Sequence, residues 1–482
     1  MKEIENSNYN YYILLNVIIT LFVTAFSLLI YTINFSYELK LGLFGWLGNG
    51  ILLWGVIIFK KVKKTYFNPY TIFFICYYLF SYGQIFLFSI GAEYSNFNLI
   101  RIFPENEIIL YSIFFCVGTC FMLLGALVAI RKDIFQQIDK INEKNHENHL
   151  LKNAVKMVAW VMLFASAPVY LNNLISNMLR SINQGYQSLY NASDASSVSN
   201  IVDSLGMWFI ASMFLLLVIY KSNKLARYTI VLTLGFVIVG SFIMGVRSIA
   251  MGLLFSLVFL YDIEVRKISK KGKLFLFFGI LLIIYLLPVI QTFRGLDNRT
   301  ISEFLNLVQE MYADNLLIDL IGELGGSMQP WLLTYDLIPD YSSFKLGESY
   351  IAAFFAVIPS FFLGGYSFTE SAHLSGWLME AKNMSYGPGF SILAESYYNF
   401  GWFGIVFMFA IGWLIFKFLS NNMFKGDILI YKNVFSAIAL YFFITAARSS
   451  LYLGVRREVY AIIIPIFAII IIYNLLKNRA NK

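Results

Sequence analysis

The sequence contains little charge, only three histidines and only three cysteines. Charged residues make up 13% of its 482 positions, whereas 59% are hydrophobic. A soluble domain of this size needs polar surface on its outside, so this composition excludes a soluble globular protein. Cys76, Cys116 and Cys120 all lie inside apolar runs. That placement excludes an extracellular disulfide framework and a Cys/His zinc site, and it indicates that the thiols pack between helices.

Long apolar runs fill most of the chain, at lengths suitable for crossing a bilayer as helices. Twelve candidate spans are predicted, at residues 11–31, 42–59, 70–90, 108–130, 154–175, 204–220, 228–244, 248–261, 274–293, 400–418, 433–447 and 459–476. No small-residue cleavage site follows the first run, so we expect a retained helix there. The predicted fold class is an all-α polytopic membrane protein with about 12 transmembrane helices and a large external loop.

Basic clusters between the runs set the expected orientation. They lie at residues 60–64, 131–156, 221–227 and 266–273, on one side of the membrane if every run spans. The positive-inside rule makes that side the cytoplasm. We therefore predict nine N-terminal helices in 1–293, a large extracytoplasmic loop at 294–399 and three C-terminal helices in 400–482.

One apolar stretch inside the predicted loop is too short to cross the membrane. Tyr350–Phe362 contains Pro359 and is followed by Gly364 and Gly365. At about 1.5 Å per residue it reaches roughly 20 Å, whereas the hydrocarbon core is about 30 Å thick. We expect a re-entrant or interfacial segment near 350–366.

Basic residues divide unevenly between the two predicted sides. The inner side holds 21 Lys and 4 Arg, and the outer side holds 3 Lys and 8 Arg. The outer arginines are Arg101, Arg180, Arg247, Arg294, Arg299, Arg448, Arg456 and Arg457. Positive charge there opposes the topogenic preference, so it needs another cause. Arginine binds phosphate oxygens in a bidentate way and stays charged where water is scarce.

Arg247 shows this pattern most clearly, because it interrupts the apolar stretch from Tyr228 to Tyr261 at the sequence GVRS. Two short spans would carry it to the outer boundary of the bilayer, where an ionisable residue is a candidate for function. The alternative is a snorkelling anchor at a helix end. Several such arginines suit an anionic headgroup whose tail stays in the bilayer, such as a polyprenyl diphosphate. The predicted diphosphate ligands are Arg247, Arg294, Arg299, Arg448, Arg456 and Arg457.

Aromatic residues accompany these arginines in and beside the predicted outer loop. Sugars are held by hydrogen bonds from carboxylates and amides and by contact with flat aromatic faces. The predicted sugar-binding residues are Trp331, Tyr335, Trp377, Tyr397 and Tyr398. Each has an alternative role in the aromatic belt at the membrane interface.

Three segments resemble a known family. They are GELGGSMQPWLLTYDLIPDY at 322–341, KLGESY at 345–350 and GPGFSILAESYYNFGWFG at 387–404. They are similar to Wzy-type polymerases, which join oligosaccharide repeat units into bacterial O-antigen or capsular polysaccharide. The resemblance extends from about Gly245 to Arg457. It implies a GT-C-like, metal-independent glycosyltransferase without a cofactor in the bacterial cytoplasmic (inner) membrane.

The resemblance also implies the substrates and partners. The substrates would be undecaprenyl-diphosphate-linked oligosaccharides, delivered by a flippase, with a chain-length regulator as a further partner. Nucleic acid is not an expected partner, because no basic stretch is interleaved with exposed aromatics. The implied reaction moves the growing glycan from its lipid diphosphate to the non-reducing-end hydroxyl of a new repeat unit. Arginines would neutralise the leaving diphosphate, and a base would help the acceptor hydroxyl.

The candidate catalytic residues are His373, Glu395 and Glu323. The histidine titrates near working pH when unperturbed, and the positive field of the arginines is expected to keep it neutral; its alternative is a hydrogen-bonded loop histidine. Glu395 would hold the acceptor sugar or act as the base, and its alternative is an acid favoured at a helix N-terminus. Glu323 lies in a glycine-rich setting and could hold a sugar. Gly387, Gly389 and Gly401 are expected to shape turns and close helix packing.

Two other classes of protein remain open. An O-antigen ligase-like transferase shares the architecture and would give the glycan to a different acceptor. A lipid-oligosaccharide flippase or other transporter would be expected to carry charged residues in mid-span and to have short outer loops. Here the charge gathers at one face beside a long loop, which favours the transferase.

Overall fold

The protein is described by a computed structural model, which covers residues 2–92, 94, 97–140, 149–184, 197–269, 271–272, 274–275, 279, 289, 293, 300–311, 316–358, 360–364, 366–384, 387–420 and 427–480. Throughout these residues the secondary structure is helical, and they include no β-strand. The all-α prediction is therefore confirmed for the described part of the chain.

The N-terminal helices extend up to the first π-helix. They are α1 Lys2–Thr32, α2 Tyr37–Lys63, α3 Pro69–Ser89, α4 Leu99–Ile102, α5 Glu105–Lys140, α6 His149–Gln184, α7 Ser197–Ile219, α8 Lys224–Ile243 and α9 Arg247–Leu260. The π-helix Tyr261–Val265 continues α9. Local polar side chains begin several of them: Asn68 accepts hydrogen bonds from the N–H groups of Tyr70 and Thr71 at the start of α3. Such caps satisfy backbone donors that have no partner within the helix.

Shorter helices dominate the region that follows, and longer ones return near the C-terminal end. They are α10 Ile301–Met311, α11 Leu316–Leu324, α12 Gln329–Leu337, α13 Glu348–Phe355, α14 Thr369–Ala372, α15 Leu374–Ala381, α16 Ile392–Phe400, α17 Gly404–Ser420, α18 Lys432–Ala446, α19 Leu451–Glu458 and α20 Ile464–Ala480. Four 3₁₀ segments, Gly325–Met328, Ser360–Leu363, Gly401–Phe403 and Asp427–Tyr431, and the π-helix Val459–Ile463 lie between them.

Within the described ranges, nine helical stretches are long and apolar enough to cross a membrane. They are Tyr9–Thr32, Tyr37–Lys63, Pro69–Ser89, Glu105–Arg131, His149–Asn183, Lys224–Ile243, Ser248–Val265, Ile392–Ser420 and Leu451–Ala480. Two further apolar helical stretches, Gly206–Ile219 and Lys432–Ala446, are shorter. The predicted span 274–293 lies largely outside the described residues. A polytopic membrane protein is thus supported, whereas the predicted count of twelve spans is not confirmed.

The helix break predicted at GVRS is confirmed. The helix α8 ends at Ile243, Gly245 takes a positive φ of 80°, and α9 begins at Arg247. Only glycine adopts that φ without strain, so the chain turns there and the apolar stretch becomes two separate helices. Arg247 accordingly stands at the start of a helix, as the sequence predicts.

The chain divides into two compact units. Unit 1 comprises Met1–Glu147, Ile321–Val357 and Ser367–Arg456. In its interior α5 and α17 approach closely, because a Cβ on Gly412 would lie 2.2 Å from the carbonyl oxygen of Met122. An aromatic layer packs beside them, with the rings of Tyr82 and Phe115 stacked at 4.1 Å. Unit 1 therefore joins the first helices to much of the predicted outer loop.

Unit 2 comprises Asn148–Leu320, Ile358–Tyr366 and Arg457–Lys482. Its helices α6 and α7 pack through the stacked rings of Tyr170 and Phe209, whose centroids are 4.5 Å apart. The indole N–H of Trp208 donates to the carbonyl oxygen of Tyr460 at 3.0 Å, which ties α7 to the C-terminal helices of the same unit. The three-segment division predicted from the sequence stays a prediction about membrane topology.

The segment predicted to be re-entrant contains short helices. With eight residues, α13 reaches only about 12 Å. Its exposed face carries Ile351, Phe354 and Phe355, whereas Ala352 and Ala353 pack into a small apolar cluster with α14 and α19. An exposed apolar face suits contact with lipid at an interface, and the interfacial assignment stays a prediction; Pro359 lies outside the described residues.

Candidate active site

Arg448 lies on the four-residue loop 447–450 between α18 and α19, in unit 1. Its guanidinium carbon is 5.3 Å from the centroid of the Phe80 ring on α3, a cation–π distance. The side chain is half-buried, so part of it remains open to solvent. An arginine supported by a ring and partly exposed is suited to receive an anion.

The GPGFS segment holds the backbone of this loop. The N–H of Phe390 donates to the carbonyl oxygen of Arg448 at 3.5 Å. Gly389 takes a φ of 72°, and a Cβ there would lie 3.2 Å from the same oxygen. Only glycine fits that backbone conformation and that close approach without strain. The prediction that Gly389 shapes a turn is confirmed, and Gly401 also takes a positive φ, of 57°.

Glu395 fixes the end of the loop at which α19 begins. Its Oε2 accepts a hydrogen bond of 2.5 Å from the backbone N–H of Leu451, the first residue of α19. Its Oε1 accepts one of 2.9 Å from the hydroxyl of Ser349 on α13. The residue is 0% exposed. A carboxylate at a helix N-terminus satisfies an unpaired donor and complements the helix dipole, so Glu395 joins α13, α16 and α19.

Asn399 completes this hydrogen-bond network, one turn further along α16. Its amide nitrogen donates to the Ser349 hydroxyl and to the carbonyl oxygen of Glu395, both at 2.8 Å. Its amide oxygen accepts from the N–H of Gly347 at 3.0 Å. The Ser349 hydroxyl therefore accepts from one neighbour and donates to the other. Because every member is buried and hydrogen-bonded, the network favours one arrangement of these segments.

His373 lies at the start of α15, close to the same loop. The hydroxyl of Ser450, two residues after Arg448, donates to the carbonyl oxygen of Ala372 at 3.0 Å. The His373 side chain is exposed on one side, yet burial of the rest of the ring lowers its pKa below the usual value. The cause of the lowered pKa is loss of water around the imidazole, whereas the sequence-based expectation attributes a neutral histidine to the field of the arginines.

The other predicted arginines have varied surroundings. Arg456 is 8% exposed and donates from Nη1 to the hydroxyl of Tyr452 at 2.5 Å. Arg457 is half-buried and belongs to unit 2, as does Arg247, which is the first residue of α9. Arg294 and Arg299 lie outside the described residues. The structure therefore places Arg448 and Arg456 in unit 1, and a diphosphate-binding role for all six stays a prediction.

The predicted sugar-binding aromatics fall into two groups. Trp331 is 0% exposed, and its ring stacks on Tyr335 at 5.2 Å and packs against Tyr397 at 5.1 Å. A ring without exposed surface has no face to offer a sugar, so the geometry of Trp331 favours a packing role. Tyr397 and Tyr398 are also buried, at 3% and 5% exposed. Tyr335 and Trp377 are half-buried and retain open surface.

Glu323 is exposed near the end of α11. Gly322, directly before it, lies against the ring of Tyr94, where a Cβ would come within 2.3 Å of ring atoms. A sugar-binding or catalytic role for Glu323 stays a prediction.

Sequence reasoning missed the residues that hold the site together. Ser349, Asn399 and Ser450 received no role, although the first two lie in the KLGESY and YYNF segments that carry the family resemblance. The available signal was that these segments are rich in small polar residues inside an apolar chain, where a polar side chain needs a buried partner.

Fold and site together define a class of protein: a polytopic helical membrane protein with an arginine on a loop that buried polar side chains hold in place. Residues 14–480 match the family described as O-antigen polysaccharide polymerase Wzy, so the chain belongs to this family. The resemblance noted from the sequence is thereby confirmed, and with it an enzyme that polymerises oligosaccharide repeat units into polysaccharide. No curated protein and no solved structure matches the chain.

Proposed function

We propose that this protein transfers the growing glycan from undecaprenyl diphosphate to a newly delivered lipid-linked repeat unit, on the outer face of the bacterial cytoplasmic membrane. The observation that carries the proposal is the placement of Arg448 on a loop fixed by Glu395, Ser450 and the GPGFS segment. Family membership supports lipid-linked oligosaccharide repeat units as the substrate class.

In the proposed reaction the acceptor hydroxyl oxygen forms a bond to the anomeric carbon of the donor sugar. The bond from that carbon to the diphosphate oxygen breaks, and the diphosphate leaves with the electron pair. The Arg448 guanidinium stabilises the negative charge that develops on this oxygen. Because its loop is fixed before the substrate arrives, little reorganisation is needed at the moment of reaction. The proposal includes a metal-independent, GT-C-like transferase, in which arginine takes the part of a metal ion.

His373 is the proposed base for the acceptor hydroxyl. Its lowered pKa leaves the imidazole neutral near pH 7, as proton acceptance requires. Its exposed side leaves room for a hydroxyl to approach. The hydrogen bond from the Ser450 hydroxyl to the carbonyl oxygen of Ala372 supports this pairing with Arg448, because it links residues within two positions of the two functional side chains.

Glu395 is proposed to position Arg448 rather than to touch sugar. Both carboxylate oxygens are hydrogen-bonded within the protein, and the residue has no exposed surface. The sequence-based hypothesis is that this side chain binds the acceptor sugar or acts as the base that takes the acceptor proton. Its surroundings support an indirect role, in which it holds the start of α19 and hence the loop 447–450.

Orientation and partners complete the proposal. The end of α2 that carries Lys60, Lys61 and Lys63 faces the cytoplasm by the positive-inside rule, which places its Tyr37 end outside. A flippase supplies the lipid-linked units to that face, and a chain-length regulator acts on the product.

The test uses purified protein in lipid nanodiscs supplied with one lipid-diphosphate repeat unit and no nucleotide sugar. We expect a ladder of products that persists in EDTA. If all lipid substrate is returned unchanged, the proposed function is wrong. If the glycan moves only to an added lipid A core acceptor, the protein is a ligase. If EDTA abolishes the ladder, the metal-independent mechanism is wrong.

A further inference from the structure

A cavity of about 570 Å³ opens in unit 1, apart from the loop that carries Arg448. It is bordered by the first residues of α2, the last turns of α3, the short helix α4 and the start of α5. Its lining includes Tyr37, Glu38, Gln84, Tyr94, Arg101 and Glu105. The volume falls within the roughly 300–1,000 Å³ that is usual for small-molecule sites.

The lining mixes apolar and polar residues, and its charged members include more acid than base. Glu38, Arg101 and Glu105 are exposed and contribute two negative charges and one positive charge. A diphosphate would meet net repulsion from this set. A hydroxyl-rich, uncharged or amino-substituted ligand would instead find both hydrogen-bond donors and acceptors, together with the rings of Tyr37 and Tyr94. The chemistry of the lining therefore suits a saccharide.

Gln84 builds one wall of this cavity and is 2% exposed. Its amide nitrogen donates to the carbonyl oxygens of Phe97 at 2.9 Å and of Gly322 at 3.0 Å. Its amide oxygen accepts from the N–H of Leu99 at 2.9 Å. One buried side chain thus fixes α3, the segment before α4 and α11 together, so the cavity wall is preformed rather than an accidental gap.

The GELGG segment backs the cavity. The ring of Tyr94, which lines the cavity, lies on Gly322, where any side chain would collide with it. Gly325 packs against α3, where a Cβ would lie 2.4 Å from the backbone nitrogen of Gln84. Two of these glycines therefore permit the close packing that shapes the cavity. This gives a physical reason for a glycine-rich motif that the proposed transfer step does not use.

The helix α3 connects this cavity to Arg448. Phe80 lies beneath the guanidinium, and Gln84 lines the cavity. Four residues apart on one helix, the two side chains share a face and are separated by about 6 Å along the axis. Gln84 is the nearer of the two to the predicted outer end of α3. A lipid diphosphate bound at Arg448 would therefore have its sugars directed toward the cavity.

We propose that this cavity binds the saccharide part of a lipid-linked substrate, about one helical turn outward of the diphosphate. The inference rests on the proposed function and extends it to the recognition of the glycan. Arg101 and Glu38 would contact sugar hydroxyls, and the half-buried ring of Tyr37 would support a sugar ring. The cavity would thereby select the correct repeat unit over other saccharides, at a place separate from the glycosidic bond that breaks.

The test measures saccharide binding directly, without turnover. Purified full-length protein in nanodiscs is titrated with the repeat-unit oligosaccharide released from its lipid by mild acid, and separately with a chain of several units. We expect binding that Arg101→Ala and Glu38→Gln each weaken about tenfold. Arg131→Ala is the matched control, because Arg131 is exposed on α5 and lies many helical turns from Glu105, the α5 residue that lines the cavity. The Arg131→Ala variant should bind the saccharide with the same affinity as the unchanged protein.

The outcomes separate the two proposals. Binding of the single unit identifies an acceptor saccharide, and binding only of the longer chain identifies the growing glycan; either supports the cavity site. Equal saccharide affinity in all variants, or competition by inorganic pyrophosphate, overturns it. A protein that binds saccharide through this cavity but never forms a ladder would overturn the proposed function alone. A protein that forms a ladder with affinity unchanged in the cavity variants would overturn the cavity site alone.

Discussion

The carboxylate of Glu395 accepts a hydrogen bond from the backbone N–H of Leu451, although the two residues are 56 positions apart in the chain. The bond joins the most family-like segment of the sequence to the loop that bears Arg448. The bond also explains why an acid is buried in an apolar protein: the carboxylate accepts from a backbone N–H at the start of α19 that has no partner within the helix.

Removal of this carboxylate should disturb both stability and activity. Glu395→Ala leaves the Ser349 hydroxyl and the Leu451 N–H without their acceptor, at a cost of about 1–3 kcal/mol for each buried group. Glu395→Gln keeps one acceptor oxygen and should retain part of the activity. We expect both the thermal unfolding temperature and the rate of chain extension to decrease from the unchanged protein to Glu395→Gln and further to Glu395→Ala. Glu348→Ala, which changes an exposed acid beside Ser349, is the control. If Glu395→Gln stays fully folded but inactive, the carboxylate contacts substrate.

Arg448→Lys should abolish or strongly reduce chain extension. The ammonium keeps the charge but loses the planar fork that binds two phosphate oxygens and stacks on Phe80. Loss of one preformed donor to a developing negative charge costs about 10²–10³-fold in rate. The in vitro ladder measures the rate, and thermal unfolding checks the fold. Arg131→Lys is the matched exposed control. A normal polymer length distribution in Arg448→Lys would show that this arginine is not a ligand.

The pH profile should report His373. Burial lowers its folded-state pKa below the usual value of about 6.5, so the imidazole stays neutral as the pH falls until it passes this lower value. The transfer rate should therefore be steady near pH 7 and fall only in more acidic solution, as protonation removes the base. His373→Ala should slow transfer by about 10²-fold or more and remove this acidic limb. If the pH dependence of the transfer rate is unchanged in His373→Ala, another group acts as the base for the acceptor hydroxyl.

Local pattern was enough for some features and not for others. The turn before Arg247 follows from a glycine and an arginine inside an apolar stretch, and hydropathy alone locates it. The contact between Glu395 and Leu451 has no local signature, because it depends on how distant helices pack. The same holds for Trp331: its sequence neighbourhood suits an exposed loop, yet tertiary packing buries its ring completely.

The number of membrane spans also depends on more than local hydropathy, and the predicted count of twelve stays a prediction. Hydropathy detects apolar runs but does not fix helix lengths, so 204–220 and 433–447 were predicted as full spans. The structure places a helix at both positions: the helix α7 Ser197–Ile219 has 23 residues, whereas α18 Lys432–Ala446 has 15, fewer than the usual crossing of about 20. Most of Lys432–Ala446 is buried among other helices of unit 1. Protein, rather than lipid, therefore surrounds much of this helix.

Labelling of intact cells should establish the orientation. Single cysteines placed at Lys345 and Lys382, in a background without the three native cysteines, should react with an impermeant thiol reagent. Cysteines at Lys63, Lys144 and Lys270 should react only after the cells are opened, since they lie in the predicted cytoplasmic clusters. Protection of both Lys345 and Lys382 positions in intact cells would reverse the proposed face of the active site.

Two tryptophans should separate packing from sugar binding. Trp331 is fully buried, so Trp331→Ala should lower the free energy of unfolding by about 3–5 kcal/mol. Trp377 is half-buried and makes an edge contact with Tyr398 at 4.7 Å, so Trp377→Ala should fold normally.

If the open face of Trp377 supports a sugar ring, the KM for the lipid-linked unit should rise several-fold in Trp377→Ala while kcat changes little, because the ring binds substrate and transition state alike. Trp377→Phe keeps an aromatic face and should restore the KM. An unchanged KM in Trp377→Ala would assign this ring to packing as well, and would leave Tyr335 as the half-buried aromatic for sugar contact among the five predicted.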